Sequence, residues 1–366
     1  MKLNFRGNRK AGSLPGPKKS WIREWADAVM FAVVFATIIR WATLEAFAIP
    51  SSSMENSLLT GDYLFVSKMH YGSRTPITPL QVPLTHQSIW GTQIQSYSDA
   101  VQLPFLRLPG FSKIKRYDPI VFNYPVEENR PIDLKTNYIK RCMGLAGDTL
   151  EIKMGKVFIN GQFIHPPEEL QFRYYVKTDR FLEDSYFRNQ DISEFYPVTG
   201  GYLMNTLPNK AAYIQSLKFI KEVQLIQQLP KVPDPDIFPH NPTLYPWNLD
   251  NLGPLYIPKA GATIAITPQT LPLYEKVILT YEHQKNASVQ DGKLFINGQE
   301  TKQYTFKQNY YFMVGDNRHN SEDSRYWGFV PEDHIVGKAV LVWMSVDANA
   351  SLYNKIRWNR LLQPID

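Results

Sequence analysis

The longest apolar run lies near the start of the chain. Ala28–Ile39 is apolar except for Thr37, and Trp21, Ile22 and Trp25 extend it on one side and Trp41–Ala48 on the other. A spanning helix needs roughly 20 such residues. A transmembrane anchor over 25–48 supplies that length if Arg40 and Glu45 are tolerated near one end. Those charges would snorkel to the interface, or pair at a separation that is poor on a helix. The tryptophans suit interfacial belts. A basic start, a short apolar core and Ala46-Phe47-Ala48 also fit a cleavable signal peptide. Glu24 and Asp27, inside the segment, argue against that.

Beyond Pro50 the apolar stretches become short. Tyr63–Lys68 and Ile120–Tyr124 read as strands. Gly155-Lys156-Val157-Phe158-Ile159-Asn160-Gly161-Gln162 recurs as Gly292-Lys293-Leu294-Phe295-Ile296-Asn297-Gly298-Gln299. In both copies a β-rich triplet runs into Asn-Gly, a strong hairpin signal. A recurrent hairpin explains this without a duplicated domain. Residues 69–116, rich in Pro, Gly, Ser and Thr, read as a long surface excursion. Across 162–290 only one helix is predicted, over Ala211–Gln228, where Ile214, Leu217, Ile220 and Val223 recur at three-residue steps. Pro230–Pro258 is proline-dense and reads as irregular.

Composition supports this picture. With 27 prolines and 21 tyrosines in 366 residues, a loop-rich β protein is favoured over a helical bundle. Of the 40 Lys and Arg residues, seven lie in 1–23 with no acid among them, which leaves 33 against 34 acids elsewhere. The near-neutral body gives no basic surface for nucleic acid. The basic tail predicts a cytoplasmic N-terminus beside a membrane, with everything after Pro50 exported. Cys142, the lone cysteine, excludes an internal disulfide. No C-x-x-C, H-E-x-x-H, G-x-S-x-G or P-loop pattern occurs, so neither a metal nor a cofactor is expected.

One loop is far more polar than a turn requires. Gly315-Asp316-Asn317-Arg318-His319-Asn320-Ser321-Glu322-Asp323-Ser324-Arg325 lies between the apolar runs Tyr310–Val314 and Tyr326–Val330. Gly-Asp-Asn suffices to turn the chain, so the remaining charges and hydroxyls suggest a hydrogen-bonded network. Lys140, in Tyr138-Ile139-Lys140-Arg141, shares one strand face with Tyr138 and Cys142, while Ile139 and Arg141 face the other way. It is either a surface lysine or one whose apolar neighbours lower its pKa. The seven histidines lie in no triad-like local motif.

Pro50-Ser51-Ser52-Ser53-Met54, Tyr138–Arg141 and the polar loop, in this order, resemble the three motifs of type I signal peptidases, membrane-bound Ser/Lys proteases. The resemblance covers about 38–68, 117–161 and 312–343. It implies a mainly β, antiparallel catalytic domain behind a transmembrane helix, the serine following that helix directly. It implies Ser53 as nucleophile, Lys140 as neutral general base and Ser321 as the residue orienting Lys140. Ser51 and the Ser53 N–H would hold the oxyanion. Asp316, Arg318, Asp323 and Arg325, with Arg141, would be structural pairs. Phe47, Ile49, Leu58, Val121, Tyr138 and Ile139 match the family's substrate pocket, though each also reads as ordinary core.

The implied enzyme removes signal peptides from exported preproteins after Ala-x-Ala-type sequences, on the outer side of the cytoplasmic membrane. Its partners are signal peptides and the lipid bilayer. The peptide would bind extended beside Tyr138–Lys140. The expected organisation is a basic tail (1–24), an anchor (25–48), a catalytic domain in two parts (49–161 and 291–366) and a β-rich, non-catalytic insertion (162–290). Two positions depart from the family. Asn56 stands where a proline is usual, and His319 where an Asp is usual.

Overall fold

The computed structural model describes residues 20–348, 350 and 355–365. Most of the expected basic tail, residues 1–19, lies outside them. Helix α1 (Trp21–Ala42) carries Glu24 in its first turn and Arg40 in its last, the signs its dipole favours, and none of its residues is buried. Among the described residues no helix is long and apolar enough to cross a membrane. The helix expected over 25–48 is shorter: it stops at Ala42, and Leu44–Ala48 forms strand β1. Hydropathy alone cannot tell a helical from an extended apolar segment. Here pairing with the next strand decides. The end of the helix also explains the two charges: Arg40 Nε donates to Glu45 Oε1 at 2.6 Å, and Lys68 Nζ lies 2.8 Å from Glu45 Oε2.

Strands β2 (Asp62–Ser67), β3 (Pro119–Asn123) and β4 (Asn137–Gly144) follow. Between β2 and β3 the excursion of 69–116 holds isolated bridges but no regular strand or helix. Next comes a meander, β5 (Thr149–Lys153), β6 (Lys156–Ile159) and β7 (Gln162–Phe163). Its turns, Met154-Gly155 and Asn160-Gly161, have positive φ at both residues, as two-residue hairpins of this hand require.

The segment 172–225 is a small unit of its own. Strands β8 (Phe172–Lys177), β9 (Glu194–Val198), β10 (Gly201–Thr206) and β11 (Glu222–Leu225) form a sheet in the order β11-β8-β10-β9. Helices α2 (Asp184–Arg188) and α3 (Pro208–Gln215) cover it, and Val176, Phe187, Ile192, Met204 and Ile214 are among its core residues. The helix expected over 211–228 is thus shorter. Val223 pairs with Val176 on an edge strand instead.

The rest of 162–290 does not join that unit. Strand β12 (Leu252–Tyr256) pairs with β5, and Trp247, Leu255, Ile278 and Tyr281 share one core with Leu150, Ile159, Phe312 and Phe329. The expected single insertion therefore divides, and only its first half has a separate core. Then follow β13 (Thr263–Ala265), α4 (Leu271–Lys276), the second meander β14 (Ala287–Gln290), β15 (Lys293–Ile296) and β16 (Gln299–Glu300), and β17 (Gln303–Thr305). This meander repeats the same turn chemistry at Asp291-Gly292 and Asn297-Gly298.

The chain finishes through β18 (Tyr310–Val314), α5 (Ser324–Trp327), β19 (Val330–Pro331), β20 (Ile335–Ser345) and β21 (Gln363–Pro364). The main sheet runs β1-β2-β20-β3-β4-β18-β19. Its pairs are antiparallel, in keeping with the mainly β class expected. Strand β3 is buried on both faces. Val121 packs with Ile49, Met54, Leu58 and Leu64, while Ile120 and Phe122 pack with Cys142, Met313 and Trp327.

Candidate active site

Lys140 lies opposite Ile120 on β3, near the middle of β4. Alternation turns it to the face of Tyr138 and Cys142. Its ammonium nitrogen is 5.6 Å from the centre of the Tyr138 ring. Only 4 % of the residue is exposed. Burial lowers its pKa to about 8, against the opposing pull of Asp323, Glu322 and Asp316. Ser53 sits on the irregular segment after β1, and its Oγ lies 2.5 Å from Lys140 Nζ. Ser51 Oγ is 3.4 Å from Ser53 Oγ. The Ser53 N–H has no hydrogen-bond acceptor among the described residues. Hydroxyl and amine thus meet, and an N–H without an acceptor adjoins them, the kinds of group that acyl transfer uses.

The polar loop is a scaffold under this pair. Arg141, facing away from Lys140, holds Asp316 with two nitrogens, Nε to Oδ1 at 2.9 Å and Nη2 to Oδ2 at 2.8 Å. Burial opposes the charge on Arg141, but Asp316 outweighs it and its pKa rises. Arg325 holds Asp323 in the same manner, at 2.9 and 2.8 Å. Arg318 departs from expectation. It is buried but forms no ion pair among the described residues, and burial with Arg325 nearby lowers its pKa to about 10. Ser321 is buried with no hydrogen-bond partner for its hydroxyl, so no direct bond to Lys140 forms. It packs on Gly315, where a Cβ would sit 2.2 Å from Ser321 Oγ and 2.6 Å from the Ser53 carbonyl oxygen. Only glycine admits that contact.

Beside the pair runs a cleft of about 390 Å³. Phe47–Met54 form one wall and Thr136–Lys140 the other, with Leu64 and Val121 at the base. Of the expected pocket residues Phe47, Ile49, Val121, Tyr138 and Ile139 line it. Leu58 does not, because it is fully buried in the core beneath. Sequence reasoning missed Asn320 and Glu322, which close one end. Strand β18 pairs with β4 only as far as Arg141, so the same edge over 137–140 lacks a strand partner among the described residues. A larger cavity of about 430 Å³ lies between the end of α1 and the excursion, away from the serine–lysine pair.

The two departures also have structural answers. Asn56 has φ of 71°, a conformation asparagine tolerates and proline cannot adopt. His319 is a tie rather than a base. Its Nδ1 accepts from the Arg173 N–H at 3.2 Å and its Nε2 donates to Asp250 at 3.2 Å.

A buried amine lies against a serine hydroxyl, beside a strand edge without a partner among the described residues, and the class of protein this fits is the serine hydrolases. Comparison of sequences gives the family: the profile of signal peptidase, peptidase S26, matches residues 22–191 and 257–344, and the chain belongs to that family. Signal peptidase I of Buchnera aphidicola subsp. Acyrthosiphon pisum is 28% identical over 91% of this chain and 78% of its own length. Signal peptidase I of Pseudomonas aeruginosa is 24% identical over 90% of this chain and 74% of its own. That of Helicobacter pylori is 25% identical over 91% and 89%.

Proposed function

We propose that this serine endopeptidase is a signal peptidase I working through Ser53 and Lys140. The observation that carries the reading is the 2.5 Å approach of Lys140 Nζ to Ser53 Oγ in a buried site. In the neutral state the hydroxyl donates to the amine. Ser53 Oγ attacks the scissile carbonyl carbon while Lys140 takes its proton. The oxyanion is received by the Ser53 N–H and the Ser51 hydroxyl. Collapse breaks the C–N bond, and Lys140 returns the proton to the leaving amine. Water, deprotonated by Lys140, then hydrolyses the Ser53 ester.

The substrate is the signal peptide of an exported preprotein, extended along the open edge of β4. The largely apolar cleft suits small apolar side chains before the cut, as in Ala-x-Ala. Ser321 packs under the pair and fixes its distance from the polar loop.

The N-terminal helix is a single-pass anchor in the cytoplasmic membrane, N-terminus inside and cleft outside. Two features support this reading. The apolar side chains of α1 are exposed, Phe31 at 70% among them. Its end is also bound to the excursion, through Trp41 Nε1 to Arg74 O at 2.6 Å and Ser73 Oγ to Ala42 O at 2.5 Å. Trp90, Ile94, Leu106 and Phe111 of that excursion are exposed as well. The test is incubation with a preprotein whose signal ends in Ala-x-Ala. Wild type should release the mature protein and Ser53→Ala should not. An active Ser53→Ala enzyme would refute the reading.

A further inference from the structure

The nucleophile's loop is held by residues outside the three motifs. Ser52 Oγ donates to Glu194 Oε1. Ser193 Oγ donates to Glu55 Oε1 at 2.9 Å, and Asn56 Nδ2 donates to Gln171 Oε1 at 2.9 Å. All three partners belong to the 172–225 unit or the residue that leads into it.

Glu194 is the centre of this connection. It opens β9 and is 8% exposed. Its Oε1 accepts from Ser52 Oγ and from Asn320 Nδ2 at 2.7 Å. Its Oε2 accepts from Asn317 Nδ2 at 2.8 Å and from Asn205 Nδ2. Asn317 Nδ2 also donates to the Ser52 carbonyl oxygen at 3.1 Å, and the Asn317 N–H donates to the Ser53 carbonyl oxygen at 3.1 Å.

The Ser52 carbonyl and the Ser53 N–H belong to one peptide unit, which is planar. Fixing that oxygen therefore fixes the direction of the N–H. We propose that Glu194 is a positioning residue for catalysis. By holding Ser52 and Asn317 it aims the Ser53 N–H at the site where the oxyanion forms. The 172–225 unit is then a working part of the active site. Glu194 acts through the peptide and not on the substrate. The effect should therefore fall on the transition state, where an oxyanion donor does its work, and spare substrate binding.

This inference rests on the Ser53/Lys140 reading, and the experiment separates the two. The full-length protein in detergent micelles cleaves an Ala-x-Ala preprotein, with rates taken per folded molecule from circular dichroism. Glu194→Ala should lower kcat by about 10- to 100-fold, the loss expected when an oxyanion donor is misaimed. KM should stay within about twofold, since ground-state binding is unaffected. The acidic limb of kcat/KM should not move, because the surroundings of Lys140 are unchanged. Glu194→Gln, which keeps one acceptor oxygen and the volume, should recover part of the loss. A merely structural role would lower the folded fraction and leave kcat per folded molecule as in wild type. That result overturns the proposal. If Glu194→Ala does not fold, Ser52→Ala decides. It removes one half-buried hydroxyl and should lower kcat several-fold at unchanged KM, and wild-type kcat there also overturns it. An active Ser53→Ala control would instead overturn the dyad itself.

Discussion

Lys140 Nζ rests 2.5 Å from Ser53 Oγ although 87 positions separate the two residues. The amine is buried, and burial lowers its pKa to about 8. A larger fraction is neutral near neutral pH than for a free lysine, whose pKa is near 10.4.

Ser53→Ala and Lys140→Ala should each lower kcat at least about 10³-fold, and the double variant should be no worse, because the two act as one unit. Lys140→Arg should be equally inactive, since guanidinium stays protonated. Single-turnover cleavage of a preprotein is the measurement. An active arginine variant would reduce Lys140 to a mere charge.

The pH profile follows from the same amine. Only neutral Lys140 accepts the serine proton, so kcat/KM should rise with pH and level off above about 8. Asp323 and then Glu322 stabilise the protonated form and hold the value up. Glu322→Gln removes one of those charges without touching the serine. Its acidic limb should therefore lie at lower pH than that of wild type. A limb that stays or moves upward would contradict this electrostatic account.

Asn56 gives a test that runs against the family pattern. At φ of 71° the usual proline does not fit. Asn56→Pro should destabilise the protein by more than about 1 kcal/mol, the usual penalty once a substitution forbids the native φ. Asn56→Gly should be milder, since glycine takes positive φ freely, although the bond to Gln171 is lost. Urea midpoints of the two variants decide, and a proline variant as stable as the glycine one would show the conformation to be different.

Breaking the Arg141–Asp316 pair leaves one buried charge uncompensated. Asp316→Ala should cost about 3–5 kcal/mol, the range for a buried pair cut on one side. The loss should appear in urea unfolding and reach the cleft, because Ser57 Oγ, four residues from Ser53, also donates to Asp316 Oδ2 at 2.6 Å.

Ala46-Phe47-Ala48 resembles a cleavage site, yet the chain should not cut itself there. These residues pair with Phe65, Leu64 and Tyr63 as an edge of the main sheet. A scissile bond must lie extended and free in the cleft, whereas Phe47 is part of its wall. N-terminal sequencing of membrane-extracted protein should find no chain beginning at Ile49.

Much of the site was legible because its signals are local. The alternation of Tyr138, Lys140 and Cys142 placed the lysine among apolar neighbours, and β4 keeps that arrangement. Asn160-Gly161 and Asn297-Gly298 announced their hairpins because the turn conformation is a property of those residues themselves. The polar loop, too rich in charge for a turn, proved to hold the Arg141–Asp316 and Arg325–Asp323 pairs. Arg318 has the same chemistry but forms no ion pair among the described residues, although Asp316 and Asp323 act on its charge, since pairing depends on how the fold orients the carboxylates.

By itself the sequence determined the order of the motifs, the strand faces and the kinds of side chain that meet at the site. Each depends on backbone geometry within a few residues. Tertiary structure alone decided that the apolar run ends as a helix at Ala42, because β2 offers Leu44–Ala48 a strand partner. It also decided that Glu194, 142 positions from Ser52 in the chain, closes on the nucleophile's loop. Such a hydrogen bond leaves no mark on either local sequence, for its energy exists only once two remote backbones have been brought together.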